Sequence, residues 1–269
     1  MNKQEVLNKI TNEEDKLLVS KMLDKIEFTT KRNSVEYTDF LDMRQRQLLE
    51  KVLNDIKFTN YIALGGYKMA ERTVIVIYPE KLEEIFKQNR FDYNTVFGVI
   101  RIILPNELKG MYAHRNYLSG IINIGIKREK VGDILTRFDG ADIIVLKDAE
   151  KYVLEGLKEL TRFSKAEFVI VKISDLKVEE PKTEKINVIV PSMRIDSVVS
   201  EAIRTSRAKA TEIIKEEKVF INHELVVKGA KEVKPNDLIT VRGKGRFKVG
   251  EILNSTKKGN LVIEIEKYV

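Results

Sequence analysis

Residues 204–226 read RTSRAKATEIIKEEKVFINHELV, a capped helix followed by a strand and a turn. Ser206 suits the N-cap, because its hydroxyl can accept from the free amides of the first turn. At about 100° per residue, Ala210, Ile213 and Ile214 fall on one arc, which must be the buried side. Two cations open the helix, Arg207 and Lys209, against a dipole that disfavours positive charge there by roughly 0.3–1 kcal/mol each. Arg207, Thr211, Lys215 and Lys218 share an adjoining arc of about 80°, and Glu212 and Glu216 lie further round. Signs segregated in this way forgo i,i+4 pairs worth about 0.2–0.5 kcal/mol apiece. A phosphate at Arg207 would meet a guanidinium and free helix amides together, so the stripe reads as an anion-binding face. The bland alternative is an arginine covering apolar surface with its stem. Lys209 falls beside Glu212 as a surface pair.

The flanking sequence extends this into a small α+β domain, expected over 186–269. Ser192 can cap a helix with the apolar stripe Ile195, Val198, Val199, Ala202 and Ile203. Downstream, DLITVRG, FKVGEIL and LVIEIEKYV read as strands separated by Pro235-Asn236 and Gly259-Asn260. Within VRGKGRFK, Arg242, Lys244, Arg246 and Lys248 surround two glycines, and TKKGN adds Lys257 and Lys258. Glycines among cations let a backbone approach phosphates closely. Residues 174–185 are polar, contain Pro181, and read as a linker.

The whole chain has 269 residues, 43% of them hydrophobic, and a net charge of +7. Residues 186–269 hold 16 Lys+Arg against 11 Asp+Glu, so most of the excess charge lies there and points to a polyanion partner. Cysteine is absent, which excludes disulfides, thiolate metal sites and thiol nucleophiles and makes the cytoplasm the expected compartment. The start of the chain lacks a signal-peptide core, and no apolar run is long enough to span a membrane. Residues 1–72 read as a helical domain: Thr11 to Glu14 has capping-box spacing, and Thr38 precedes the run Leu41, Leu48, Val52, Ile56. From residue 73 the period changes, and from 96 the order is βαββαβ. That order fits a ferredoxin-like, RNA-recognition-motif-like middle domain over 73–176, whose second sheet face is free to bind or to pack on a neighbour. Phe97 and Phe138 are isolated, so base stacking on that sheet has no support.

Arg194-Ile195-Asp196, Ser206-Arg207, Val219-Phe220-Ile221-Asn222 and Asn236-Asp237-Leu238-Ile239 resemble the pattern of the RNA-binding domain named after ribosomal protein S-four. Asn222-His223 stands where that family usually has Asn-Gly, and Asn236 replaces its glycine; both are turn positions that asparagine tolerates. With GGYKMAER (65–72), AHRNYLSGIINIGIKREKVGDIL (113–135) and RGKGRFKVGEILNSTKKGN (242–260), nearly the whole chain resembles the bacterial YlmH family. The resemblance implies a protein of the large ribosomal subunit that acts on stalled complexes carrying peptidyl-tRNA in ribosome-associated quality control, some members being linked to cell division. Asn116 departs from the family's His-Arg-Asp, and Ser119 from its Leu-Gly, which puts any role of that carboxylate in doubt.

Catalytic signatures are missing from the sequence. There is no G-x-G-x-x-G at a helix start and no P-loop, and the only histidines are His114 and His223. Asp133, an isolated acid in a strand pattern, reads as structural. His114, Arg115, Lys127, Arg128 and Lys130 form a possible second RNA surface; alternatively His114 caps or packs, and the cations complement a helix C-terminus. The expectation is therefore a non-enzymatic, monomeric RNA-binding protein without cofactor, metal, small-molecule substrate or membrane contact. Its contacts to ribosomal RNA would come from Arg194, Arg204, Arg207, Lys215, Lys218, Arg242, Lys244, Arg246, Lys257 and Lys258. An RNA-modifying enzyme centred on GGYKMAER and HRNYL, and a cell-division adaptor, are the alternatives.

Overall fold

A computed structural model describes residues 3–178, 183–222 and 224–268. The chain divides into two compact units, 1–179 and 180–269.

The first unit opens with helices α1 (Lys3–Leu7), α2 (Glu13–Arg32) and α3 (Met43–Asp55), with β1 (Glu36–Tyr37) between the last two. The caps lie close to the expected positions but are made by other residues. Asn12 rather than Thr11 caps α2, accepting from the Asp15 amide at 3.0 Å. Asp42 and Gln45 form a reciprocal capping box on α3. Thr38 instead prolongs strand pairing, its amide donating to the Ile75 carbonyl at 3.0 Å, and Leu41 bridges Thr73. The boundary expected at 72/73 falls inside a sheet. Strand β3 (Val74–Ile77) lies between β1 and β2 (Tyr61–Leu64), and all pairs are antiparallel. Alternation along β3 explains why it is apolar throughout: Ile75 and Ile77 pack among the helices, while Val74 and Val76 pack in a second cluster.

After α4 (Glu83–Lys87) come β4 (Phe97–Ile103), α5 (His114–Asn123), β5 (Val131–Arg137), β6 (Gly140–Leu146), α6 (Glu150–Glu159) and β7 (Glu167–Val171). Their sheet has the order β5-β6-β4-β7 and is antiparallel throughout. Tyr117 and Ile121 of α5 and Val153 and Leu157 of α6 pack against Ile100, Ile102, Ile143 and Val145. The opposite face is covered: Phe97, Ile144 and Leu146 share one core with Phe40, Val74, Val76 and Phe86. The sheet face that the sequence leaves open is thus filled by the N-terminal sheet.

In the second unit, β8 (Thr183–Val190) replaces the end of the expected linker, pairing with β13 (Leu261–Tyr268) along its whole length. Pro181 lies outside the described residues, as does His223. Helices α7 (Ile195–Ala202) and α8 (Arg207–Lys215) follow, then β9 (Val219–Ile221), β10 (Glu224–Leu225), β11 (Leu238–Val241) and β12 (Gly245–Ser255). The antiparallel sheet runs β10-β9-β11-β12-β13-β8. Val198, Val199, Ala210, Ile213 and Ile214 form its core with Ile239, Phe247, Ile263 and Ile265. Arg194, not Ser192, occupies the N-cap position of α7. Asn222 and Asn236 adopt the left-handed φ values of 50° and 71° that their turns require.

Candidate nucleic-acid interface

Ser206 caps α8, its hydroxyl accepting from the Lys209 amide at 3.2 Å. The cation after the cap has a partner eleven residues upstream. Arg207 Nη2 donates to both carboxylate oxygens of Asp196 at 3.1 Å, and Arg194 donates to them through Nε at 3.2 Å and Nη2 at 2.8 Å. Asp196 is buried at 4% exposure. Burial alone would raise its carboxyl, but hydrogen bonds from Arg194 and Arg207 outweigh that and hold it below the ordinary aspartate range. A charge-assisted hydrogen bond contributes about 1.5–3 kcal/mol when buried. Both arginines are nearly half in solvent, which weakens these bonds, and the carboxylate partner of Arg207 opposes the unfavourable position of a cation at the start of the helix. Arg194 and Arg207, expected as free RNA contacts, are therefore first bound to the protein.

The remaining cations separate by partner. Lys209 pairs with Glu212 at 2.7 Å, as its spacing suggests, and Lys218 with Glu216 at 2.7 Å. Lys215 is exposed and makes no ion pair among the described residues. Arg204, also exposed, closes the end of α7 with φ at 52°. Glycine is customary there, since a side chain costs about 1 kcal/mol in the left-handed region. Arg204→Gly should stabilise the second unit by about 0.5–1 kcal/mol while weakening RNA binding, a divergence readable by thermal unfolding beside filter binding.

Two basic clusters adjoin. The Arg242 amide donates to the Lys218 carbonyl at 2.9 Å, which joins the turn between β11 and β12 to the chain leaving α8. In that turn Gly243 has φ at 74°, and a Cβ there would meet nothing within 4 Å, so the backbone faces open space between Arg242 and Lys244. Both flanking cations are exposed; Arg246 is half-buried. Lys257 and Lys258 do not belong to this cluster. They lie in the turn beyond the far end of β12, about 26 Å away at roughly 3.3 Å per paired residue, since two residues of the strand are taken up by bulges between Val249 and Asn254.

In the first unit, two of the five residues of the expected second surface are engaged. Lys130 pairs with Asp39 and Asp148, each at 3.0 Å. Arg128 donates to the carbonyls of Val131 and Gly132, and burial lowers its pKa to about 10, which leaves it charged at neutral pH. His114 is exposed at the start of α5; partial desolvation of its ring, then the neighbouring Arg128 cation, lower it from the ordinary histidine value. Arg115 and Lys127 are exposed. Asp133 accepts from Tyr67 Oη at 2.9 Å and from the amides of Glu71 at 2.7 Å and Arg72 at 3.2 Å. It thereby fastens the GGYKMAER loop to β5. Asn116, in place of the resembled family's aspartate, accepts from the Ala113 amide at 2.9 Å and caps α5.

Sequence reasoning assigned no role to Asp142. It is fully buried on β6, where it accepts from Arg101 Nε at 2.8 Å and Nη2 at 2.7 Å, from Arg137 Nη1 at 2.7 Å and from the Lys177 amide at 3.0 Å. Arg101 faces it directly across the β4–β6 ladder, so only the register reveals the pair. Among the described residues no cluster of acidic or histidine side chains is arranged to hold a metal ion, and no helix is long and apolar enough to cross a membrane.

Two family models match the first unit: "YlmH, N-terminal" over residues 14–82 and "Putative RNA-binding domain in YlmH" over 91–179. Their boundary falls after β3, as the sheet pairing does. The chain is 29% identical over 238 residues to the ribosome-associated protein quality control protein P2 of Bacillus subtilis, covering 87% of each. A solved structure titled cell division protein ylmH, from Streptococcus pneumoniae, is 20% identical with a TM-score of 0.47, covering 63% of this chain and 98% of that one. By the two family models and the B. subtilis relative, the chain belongs to the YlmH family.

Proposed function

We propose that this protein is a non-enzymatic, cytoplasmic RNA-binding protein that grips ribosomal RNA of the large subunit through its second unit. It would act on stalled complexes carrying peptidyl-tRNA, in ribosome-associated quality control. In this reading β4 to β7 with α5 and α6 form an RNA-recognition-motif-like domain, and α7, α8 and the sheet behind them an S-four-type domain. The observation that carries the reading is the junction of the α8 end with the glycine turn. Arg242 and Lys244 there flank a backbone that phosphates can approach, and exposed Lys215 ends α8 three residues before the joined Lys218 carbonyl. The family match and the name of the B. subtilis relative support the ribosomal setting. Because the N-terminal sheet covers one face of the four-stranded sheet, any RNA or tRNA contact by that domain would use its helices and loops, where Arg115 and Lys127 are exposed. Contacts to phosphate and RNA shape should outnumber those to base edges.

The test is cosedimentation with purified large and small ribosomal subunits over a salt series, comparing wild type with a Lys215→Gln/Lys244→Gln variant. Large-subunit binding should weaken with salt. Two lost phosphate contacts should flatten the log–log slope by about 1.4–1.8 in the variant. Binding to neither subunit, or large-subunit binding with an unchanged slope in the folded variant, would remove the second unit from the interface.

A further inference from the structure

We propose that Asp196 is a positioning residue that sets Arg194 and Arg207 side by side as a two-guanidinium clamp for a phosphodiester of structured RNA. This role rests on the RNA-binding reading of the second unit and deepens it. The arginines come from different places, one the N-cap of α7 and the other the first residue of α8, yet both converge on one buried carboxylate. Each spends only part of its fork on Asp196. Arg194 uses Nε and Nη2, and Arg207 uses Nη2 alone for both oxygens. Arg194 Nη1 and Arg207 Nε and Nη1 have no hydrogen-bond partner among the described residues, and the two side chains are 43% and 49% exposed. A guanidinium is a rigid plane, so fixing one edge fixes the direction of the donors on the others. Two such groups close together would repel without the carboxylate between them. With it they form a triad of net charge +1 whose buried side is satisfied and whose free N–H groups are held in solvent.

A simpler role for Asp196, fastening α7 to α8, makes a prediction of opposite sign. Asp196→Asn makes the protein more positive by one charge, so general attraction to a polyanion should tighten binding. A clamp that loses its positioning group should bind more weakly. The experiment is cosedimentation of the full chain with purified large ribosomal subunits over a salt series, at a temperature where thermal unfolding shows each variant folded. Asp196→Asn is expected to bind at least about fivefold more weakly. Its salt slope should be flatter by as much as about 1.4–1.8, although no cation has been removed. Equal or tighter binding by folded Asp196→Asn overturns the clamp. If that variant does not fold, Arg207→Lys keeps the charge and can still pair with Asp196 but loses the fork. It should bind about threefold more weakly or worse, and unchanged binding overturns the clamp. The Lys215→Gln/Lys244→Gln variant separates the two claims. If it binds as wild type does, the RNA-binding reading of this unit fails and the clamp with it; if it weakens while Asp196→Asn does not, only the clamp falls.

Discussion

Asp142→Ala is expected to destabilise the first unit by about 3–5 kcal/mol, a drop in melting temperature on the order of 10 °C. The carboxylate is completely buried, and the cations it neutralises have side chains only 12% exposed for Arg101 and 4% for Arg137. Removing the acid leaves Arg101 with no carboxylate partner and Arg137 with only its Asp139 pair at 2.9 Å, and neither guanidinium can reach full hydration without opening the sheet. The loss extends beyond the pair, because Asp142 also accepts from the Lys177 amide while Arg101 donates to the Asp175 carbonyl at 2.6 Å. Those bonds fasten the last described segment of the unit to the sheet. The acid limb of stability should carry the same signature. Burial would raise the Asp142 carboxyl, but Arg101, the Lys177 amide and Arg137 together hold it below the ordinary value. A folded-state pKa below that of the unfolded chain means the stabilisation is complete above about pH 4 and is lost as pH falls through the depressed value. Asp133 acts in the opposite sense, since burial raises it. The difference in melting temperature between wild type and Asp142→Asn should therefore shrink as pH is lowered below about 4. A constant difference down to pH 2 would show that Asp142 is not the charged partner described.

Phe40→Ala should cost a similar amount, about 3–5 kcal/mol, as a large ring lost from a packed core does. Its second consequence concerns cooperativity. Phe40 is 1% exposed, its ring centroid lies 5.8 Å from that of Phe97, and a Cβ added to Gly132 would come within 2.7 Å of it. The Phe40 carbonyl accepts from Arg72 Nη2 at 3.0 Å, and its amide donates to the Glu129 carbonyl at 2.8 Å. One residue from the N-terminal region is thus seated in the sheet of the next. Residues 3–178 should accordingly melt in one transition that the substitution moves as a whole, followed by calorimetry. Two separated transitions within this unit, in wild type or variant, would contradict the shared core.

Much of this fold is legible in the sequence wherever the apolar period is long. The order from β4 to β7, the buried arc Ala210, Ile213, Ile214 and the Ser206 cap all follow from local spacing, because they depend on contacts within a turn or a strand. The reading fails where a residue's partner is distant. Leu41 fits a helical stripe but bridges Thr73, and the polar run before Val190 becomes a strand because β13 pairs with it. The candidate site divides in the same way. A helical wheel brings Arg207, Lys215 and Lys218 together, but α8 ends at Lys215, which leaves Lys218 off the helix, and the wheel cannot show that Asp196 holds Arg207 or that Glu216 holds Lys218. The R-x-D triplet at 194–196 was the one local sign of the first pairing, since a buried acid two residues from an arginine needs that arginine or another like it.

The length of β12 sets the scale of any footprint. Its eleven residues, two of them taken up by bulges, hold the Arg242–Lys244 turn and the Lys257–Lys258 turn about 26 Å apart. Along a duplex, where one strand advances about 3.4 Å per nucleotide, touching both would take roughly eight nucleotides, and an extended single strand would need fewer. The number of nucleotides shielded from nuclease attack therefore reports whether the hairpin is gripped at one tip or along its full span.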